Sequence, residues 1–538
     1  MKHKIIKEIS NSIKKIYENI DDITISVEKP KNKKHGDIST NVALLLAKKV
    51  KKNPIEICEE LKVELIKSSL FDSLEIAKPG FINFKLAISS LTNSLKKITD
   101  LNNNYGKNNS GHQKKVLVEF VSANPTGPLT VGHGRGAIIG DVVSNILTWN
   151  GYKVDREYYY NNAGRQMRIL GESLKARYYE LLNIDYDFPE DGYKGDYLKK
   201  IASSLVDDKK DALLNKPDDF FKDNAEKYIF NQIKKTLAKI GLKFDNYYNE
   251  NQLYENKKIF DVVDKLKNKK LIYEKEGATW FKATAIGLEA DRVLIKSTGE
   301  PTYRLPDIAY HATKFERGYD LCVDIFGADH MDAYPDVLAA IEQLGFNKSN
   351  VKVIIHQFIS ILEDNEIVKM STRKGNFITL ERLIDEVGMD VVRYFFIMRS
   401  INSHLNFDLK LAKEKSEKNP IFYIQYAHAR ICTILDQHET AKQPSLSLLK
   451  HEQEIKLIYL LIEFEELILK LSKNLEPQIL TNYLFDLATK FHKYYATCRI
   501  VNESEDELTQ SRLYLINTIR ITLSNGLNIL GISSPERM

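Results

Sequence analysis

Cysteine is scarce in this chain. Its 538 residues include four cysteines, Cys58, Cys322, Cys432 and Cys498. No two stand at the spacing of a metal site, so the four read as reduced core residues and no resident metal is expected. Long apolar runs are missing too. No stretch reaches the roughly 20 residues that a membrane helix needs. The chain opens on a charged amphipathic pattern, not on an apolar leader. Together these absences predict a cytoplasmic protein. Internal repeats are absent. An excess of one charge is nearly absent, with 78 Lys and Arg against 73 Asp and Glu, a formal +5. That balance permits a local basic face for nucleic acid but does not demonstrate one. The length is too great for one core and implies roughly three or four domains.

The most informative stretch runs from Val116 to Trp149. Val116 to Val121 is short, apolar and rich in β-branched residues, which suits a buried strand. Ser122 to Pro128 is dense in turn formers. From Leu129 onward Ile138, Val142, Ile146 and Trp149 recur at helical steps. Gly132, Gly134 and Gly136 sit at the junction. A strand feeding a glycine-rich turn and a helix N-terminus is suited to binding an anion, and the missing side chains let a nucleotide approach. The spacing differs from the G-x-G-x-x-G of dinucleotide folds, so it is a weak signal alone.

Around this unit the chain divides. Residues 1–100 predict a small α/β domain. Ile5, Ile9, Ile13, Ile16 and Ile20 form a helical stripe, and Ile23, Ile25 and Val27 alternate as a strand. Asn53-Pro54 starts a helix, and Phe81 to Phe84 is another strand. Lys29 to Lys34 is a basic loop, either a solvated turn or an RNA contact. Residues 101–115 have no periodicity and read as a linker. In 116–408, strands at Val154–Tyr160, Leu321–Phe326 and Val351–His356 alternate with helices, which predicts a parallel α/β sheet. Residues from about 170 to 280 read as a mostly helical insertion. The second half of the sheet is expected to start near Asp291, and a helix to cover His311–Arg317. In such sheets the ligand lies beyond the carboxyl ends of the strands. Residues 409–538 are almost wholly helical and form a bundle. Its role is either structural or RNA binding.

Several runs carry a family resemblance. The run Ala123, Asn124, Pro125, Thr126, Gly127, Pro128, Leu129, Thr130, Val131, Gly132, His133 resembles the HIGH signature of class I aminoacyl-tRNA synthetases, and its wider context resembles the arginyl-tRNA synthetases. Val368 to Asn376 resembles their KMSK loop. Asn161 to Gly164, Gly327 to His330 and the C-terminal LGISSPERM also resemble that family, as does the run from His35 to Pro54. Three positions depart from its pattern. Thr130 replaces the first signature histidine, Asn162 an aspartate and Thr372 the second lysine.

The resemblance implies a Rossmann-type catalytic domain, an N-terminal domain contacting the tRNA elbow and a C-terminal anticodon-binding bundle. It implies a ligase that joins L-arginine to tRNA(Arg) using ATP with Mg²⁺, with no tightly bound cofactor, no membrane partner and a monomeric chain. Catalysis falls to His133, Lys369, Ser371, Arg373 and Lys374, with either Arg373 or Lys374 standing in for the missing lysine. Pro128, Thr130, Gly132, His133, Gly327, Asp329, His330 and Met370 are assigned to ATP, with Asp329 on its ribose. Asn124, Tyr303 and Asp307 are assigned to arginine, because a guanidinium matches a carboxylate. Asp307 alternatively caps the following helix. Glu119 and Glu157 are the next carboxylates in line. Two rivals stand beside this reading. One is a small-molecule ligase of the same superfamily, against which the helical tail argues. The other is a non-catalytic RNA-binding paralogue, which the departures at Thr130 and Thr372 keep open.

Overall fold

The computed structural model describes the chain except for residues 18, 19, 21, 22, 31, 33, 34, 329, 330, 332, 333, 365, 368–377 and 442. At its centre is a five-stranded parallel sheet. Its spatial order is Val351–His356, Leu321–Gly327, Lys115–Glu119, Lys153–Tyr160, Asn246–Asn249. The chain leaves Lys115–Glu119 toward one edge and later returns on its other side. The switch point therefore lies between that strand and Leu321–Gly327, and their carboxyl ends open a crevice there. The helix Val131–Trp149 follows the central strand directly and is buried along most of its length.

Asn246–Asn249 corrects the expected insertion. The fifth strand lies inside the range 170–280, paired in parallel with Glu157–Tyr160. Its four residues, Asn-Tyr-Tyr-Asn, carry no apolar run and gave no periodic signal. The segment before it is helical, Gly164–Leu181, Asp196–Lys209 and Asp218–Lys239. The segment after it includes a separate antiparallel sheet of Ile272–Lys275, Ala278–Phe281 and Arg292–Ile295. The Asp291 run thus enters this small sheet rather than opening the second half of the parallel one. The next helix starts at Arg304, not His311.

In the N-terminal unit a sheet of Ile38–Thr40, Phe81–Leu86 and Phe71–Ala77 packs against the helices Val42–Val50 and Pro54–Leu65, with Lys2–Ile16 on the latter. Ile23 to Val27 forms no strand, and the segment makes one isolated bridge, Glu28 to Ser39. Phe71–Ala77 escaped the sequence pattern because a register shift between Phe71 and Ser73 breaks its alternation. The expected linker is a packed strap. Tyr105 is buried and donates its hydroxyl to the Leu461 carbonyl at 2.7 Å. Asn525 donates to the carbonyls of Asn102 and Tyr105.

The bundle comprises Pro420–Asp436, Glu452–Asn474, Gln478–Thr497 and Asp506–Leu530. It is tied to the catalytic unit by Arg393. This buried guanidinium donates to Asp141 in the helix Val131–Trp149 (2.5 Å), to the Ile240 carbonyl (2.8 Å) and to the Leu530 carbonyl (2.8 Å). The last bond satisfies a carbonyl at the end of the final helix that has no partner within the helix. Gly531 follows at φ +66°, and a Cβ there would collide with the Arg393 guanidinium. Gly299 has φ +83° and open space around it. Gly299→Ala is expected to cost about 1–2 kcal/mol from backbone strain alone. Gly531→Ala should cost clearly more in chemical denaturation. Equal losses would show that Arg393 yields without consequence.

Candidate active site

The crevice at the switch point is a cavity of about 1070 Å³. Its floor is the carboxyl end of the central strand and the turn after it, with Glu119, Val121, Ser122 and Asn124. Val121 and Ser122 adopt φ +70° and +43°. A β-branched residue in that region is strained, as side chains at functional sites often are. The hydroxyl of Ser122 donates to Glu119 at 2.8 Å, which fixes the turn against the strand.

One wall is the start of the helix Val131–Trp149. Thr130 is its N-cap, and the Thr130 N–H donates to His133 Nδ1 at 3.1 Å. With Nδ1 accepting, the neutral ring carries its proton on Nε2. The helix start thus presents backbone N–H groups, the positive end of its dipole and an imidazole N–H to the same space. Thr130 therefore has a defined task in place of the family histidine, which is to cap the helix. Of the three glycines, Gly132 meets nothing nearer than Thr130 Oγ1 at 3.6 Å, which leaves room for a ligand. Gly134 serves packing instead, since a Cβ there would fall 2.6 Å from Leu380 Cδ1.

The opposite wall is acidic. Asp307 stands in the first turn of the helix Arg304–Glu316, whose N-cap is Tyr303, so Asp307 is not the cap. Its carboxyl lines the cavity with Glu119 and Glu250. Burial pushes Asp307 up to about 7, and the nearby Glu119 and Glu250 carboxylates add to the rise against the opposing charges of His311 and Lys314. Burial also raises Glu250, whose Oε2 accepts from the Tyr159 hydroxyl at 2.8 Å. Glu119 is paired with the buried Lys314 at 2.7 Å, and Lys314 also holds Asp324 at 2.6 Å. Burial would pull the Lys314 ammonium down, but the two carboxylates outweigh it and hold it charged. Asp324 in turn meets His311 Nε2 at 3.0 Å, while His311 Nδ1 meets the Asp307 carbonyl at 2.8 Å. Glu157, the other carboxylate in line, is spent. It accepts two bonds from Arg317, at 2.6 and 2.8 Å, and one from Tyr310 at 2.6 Å.

Seven predicted residues meet in this cavity: Asn124, Thr130, Gly132, His133, Tyr303, Asp307 and Gly327. The Asn124 side-chain oxygen also accepts from the Asn161 N–H at 3.0 Å, joining the two loops. Ala123, Pro125, Thr126, Gly127, Pro128, Leu129 and Val131 build the turn but do not line the cavity. The Ala123 carbonyl accepts from Tyr158 and that of Thr126 from Tyr197, both at 2.7 Å. Asp329, His330, Lys369, Met370, Ser371, Arg373 and Lys374 lie outside the described residues. The segment after residues 368–377 returns to the helix start. Thr379 bridges Thr130, and Leu380 N–H donates to the Leu129 carbonyl at 2.8 Å. Glu250 and Tyr159 were missed by sequence reasoning, as were His356, Gln357 and Phe358 at the carboxyl end of an edge strand.

The buried carboxyl makes a test. Asp307 has a folded value near 7 against an ordinary 3.8, so the wild type bears a cost of ionising it that grows as pH rises between those values. Asp307→Asn is expected to melt higher than wild type at pH 8, with the gap closing toward pH 4. A mutant that melts lower at pH 8 would contradict this wall.

The comparisons agree along the chain. Residues 3–86 match the arginyl tRNA synthetase N-terminal domain model, residues 95–394 the class I (R) tRNA synthetase catalytic domain, and residues 424–538 the DALR anticodon binding domain. The arginine–tRNA ligase of Desulfotalea psychrophila is 48% identical over 95% of this chain and 94% of its own. That of Salinibacter ruber is 47% identical over 96% of both. Among solved structures, the Thermus thermophilus arginyl-tRNA synthetase superposes with a TM-score of 0.77 over all of both chains at 20% identity, a likeness of fold. With a catalytic-domain model spanning more than half of its length and full-length relatives near half identity, the chain belongs to the arginyl-tRNA synthetases of class I.

Proposed function

We propose that this chain activates L-arginine with ATP·Mg²⁺ to arginyl-adenylate and transfers the arginyl group to the terminal adenosine of tRNA(Arg). The observation that carries the reading is the cavity's two-sided chemistry, an anion-binding helix start facing a wall of three carboxyl groups. The ATP phosphates lie against the Gly132–His133 turn, and the guanidinium enters the acidic side at Asp307 and Glu250. The arginine carboxylate is then held between them. Its oxygen attacks the α-phosphorus, the bond to the bridging oxygen breaks, and pyrophosphate leaves. The 2′-hydroxyl of the terminal adenosine next attacks the activated carbonyl and AMP departs. No protein nucleophile takes part. His133 Nε2–H and the helix N–H groups stabilise charge that grows on phosphate oxygens, a contribution of roughly 10²–10³ in rate for one well-placed donor. Lys369 and either Arg373 or Lys374 supply further positive charge from the second signature, with Ser371 offering a hydroxyl donor and Met370 assigned to the nucleotide. Gly327, Asp329 and His330 hold the ribose side.

Residues 116–408 perform the chemistry, residues 1–100 contact the tRNA elbow and residues 409–538 read the anticodon. The bundle supports that role with an exposed aromatic surface. Arg430 lies 4.7 Å from the ring centroids of both Tyr426 and Tyr495, and Phe422 stacks on Tyr426. Exposed rings with a guanidinium between them suit unpaired RNA bases. The chain is taken to act as a monomer, and the described residues include no helix long and apolar enough to cross a membrane. A cytoplasmic site of action fits both.

The test is aminoacylation of total tRNA with each of the twenty amino acids. Arginine alone should be charged, and lysine rejected by at least about 10³-fold, because an ammonium lacks the bidentate fork. Tight tRNA binding without charging by any amino acid would favour the non-catalytic paralogue.

A further inference from the structure

The small sheet beside the cavity carries a second feature. One face of Ile272–Lys275, Ala278–Phe281 and Arg292–Ile295 buries Phe281 and Leu294. On the other, Tyr273 pairs with Trp280, and Trp280 with Val293. The two rings stack at 6.1 Å with 21° between their planes. The ammonium groups of Lys275 and Lys282 lie 5.9 Å from the Trp280 and Tyr273 centroids. A separate cavity of about 450 Å³ opens here, lined by Trp280, Asp291, Arg304 and Tyr303 among others. Tyr303 is 59% exposed and lines the catalytic cavity as well, so one side chain separates the two spaces.

The cavity offers what a nucleobase needs. The Trp280 ring supplies a stacking surface. Its indole N–H is buried with no partner among the described residues, a donor left open. The Asp291 carboxylate, which accepts from Thr284 and Tyr273, supplies an acceptor edge. Arg292 and Arg304 both donate to the single carboxylate of Asp336, each at 2.8 Å, which leaves one positive charge beside the opening. Flat rings with flanking cations bind unpaired nucleotides by stacking rather than by reading a duplex. Continuity through Tyr303 identifies the occupant. Every tRNA ends in an unpaired segment, and its last adenosine must enter the catalytic cavity for its hydroxyl to react.

We propose that the Trp280 cavity holds the unpaired base preceding that terminal adenosine and so threads the tRNA end into the catalytic cavity. This rests on the tRNA-ligase reading above.

The chain has two tryptophans, Trp149 and Trp280, so emission from Trp280 is isolated by subtracting a variant that keeps only Trp149. Full-length protein is titrated with tRNA(Arg) and with the same tRNA trimmed of its last two nucleotides, binding being followed separately by filter retention. The Trp280 component is the signal lost in Trp280→Phe. Intact tRNA should quench it strongly, and trimmed tRNA should bind without quenching it. Trp280→Ala should weaken intact tRNA roughly 5- to 100-fold more than trimmed tRNA, the span of one base-stacking contact. Trp280→Phe should stay within about threefold of wild type, because the ring is kept. Equal quenching by both RNAs, equal losses for both, or unquenched emission from a protein that binds and charges tRNA would overturn the pocket alone. Intact tRNA that fails to bind at all would overturn the ligase reading with it.

Discussion

One buried ammonium group holds the catalytic architecture together. Lys314 Nζ lies between Glu119 on the central strand and Asp324 on its neighbour, with no solvent exposure. These two strands flank the switch point. Glu119 and Asp324 are both buried there, and like charges at such range repel across a medium that screens them poorly. Lys314 eases that repulsion by offsetting one of the two charges, and it fixes the strand ends at one height. Removing a single partner from such a set is far more costly than the set's net contribution, because an uncompensated charge remains. His311 extends the arrangement by one turn, from Asp324 to the backbone of Asp307.

The same helix then divides its labour. Lys314 and Arg317 pair with Glu119, Asp324 and Glu157, while Asp307 has no cation of comparable closeness among the described residues. The protein therefore carries a carboxyl that is uncomfortable until a cationic ligand arrives. On the proposed function, that cost is what gives selectivity for arginine. A site that must be filled by a planar cation rejects neutral and mismatched ligands through the charge left unpaired. On the other side of the cavity the helix Val131–Trp149 is held by Arg393, whose three bonds join it to the end of the insertion and the end of the bundle. The helix start proposed to meet phosphate is thus rigidly referenced to the domain proposed to meet the anticodon.

The strand, turn and helix at Val116–Trp149 were legible because their periodicities differ sharply and turn formers mark the junction. Asp307 was singled out by resemblance, from a tyrosine and an aspartate four residues apart, and the fold places it in the cavity on a helix that begins seven residues earlier than its pattern suggested. Glu250 was not legible. It follows a four-residue polar strand whose existence depends on pairing with Glu157–Tyr160, so no local signal marks it. Lys314 and Arg317 carry no signal in the sequence that sets them apart from other charged helix residues. Only the fold reveals that they face buried carboxylates. Thr130 looked like a departure from a signature, and the geometry gives it the N-cap position of the helix.

Arginine's guanidinium is received, on this reading, by a carboxyl whose proton is held by burial. The most direct test is calorimetry of arginine binding at pH 7 in buffers of different ionisation enthalpy. With Asp307 near 7 in the free protein, about half of the molecules carry its proton, and a bound guanidinium drives it off. Release of about half a proton per arginine bound is therefore expected, lost in Asp307→Asn and smaller at pH 9. Binding with no change in protonation at pH 7 would contradict it.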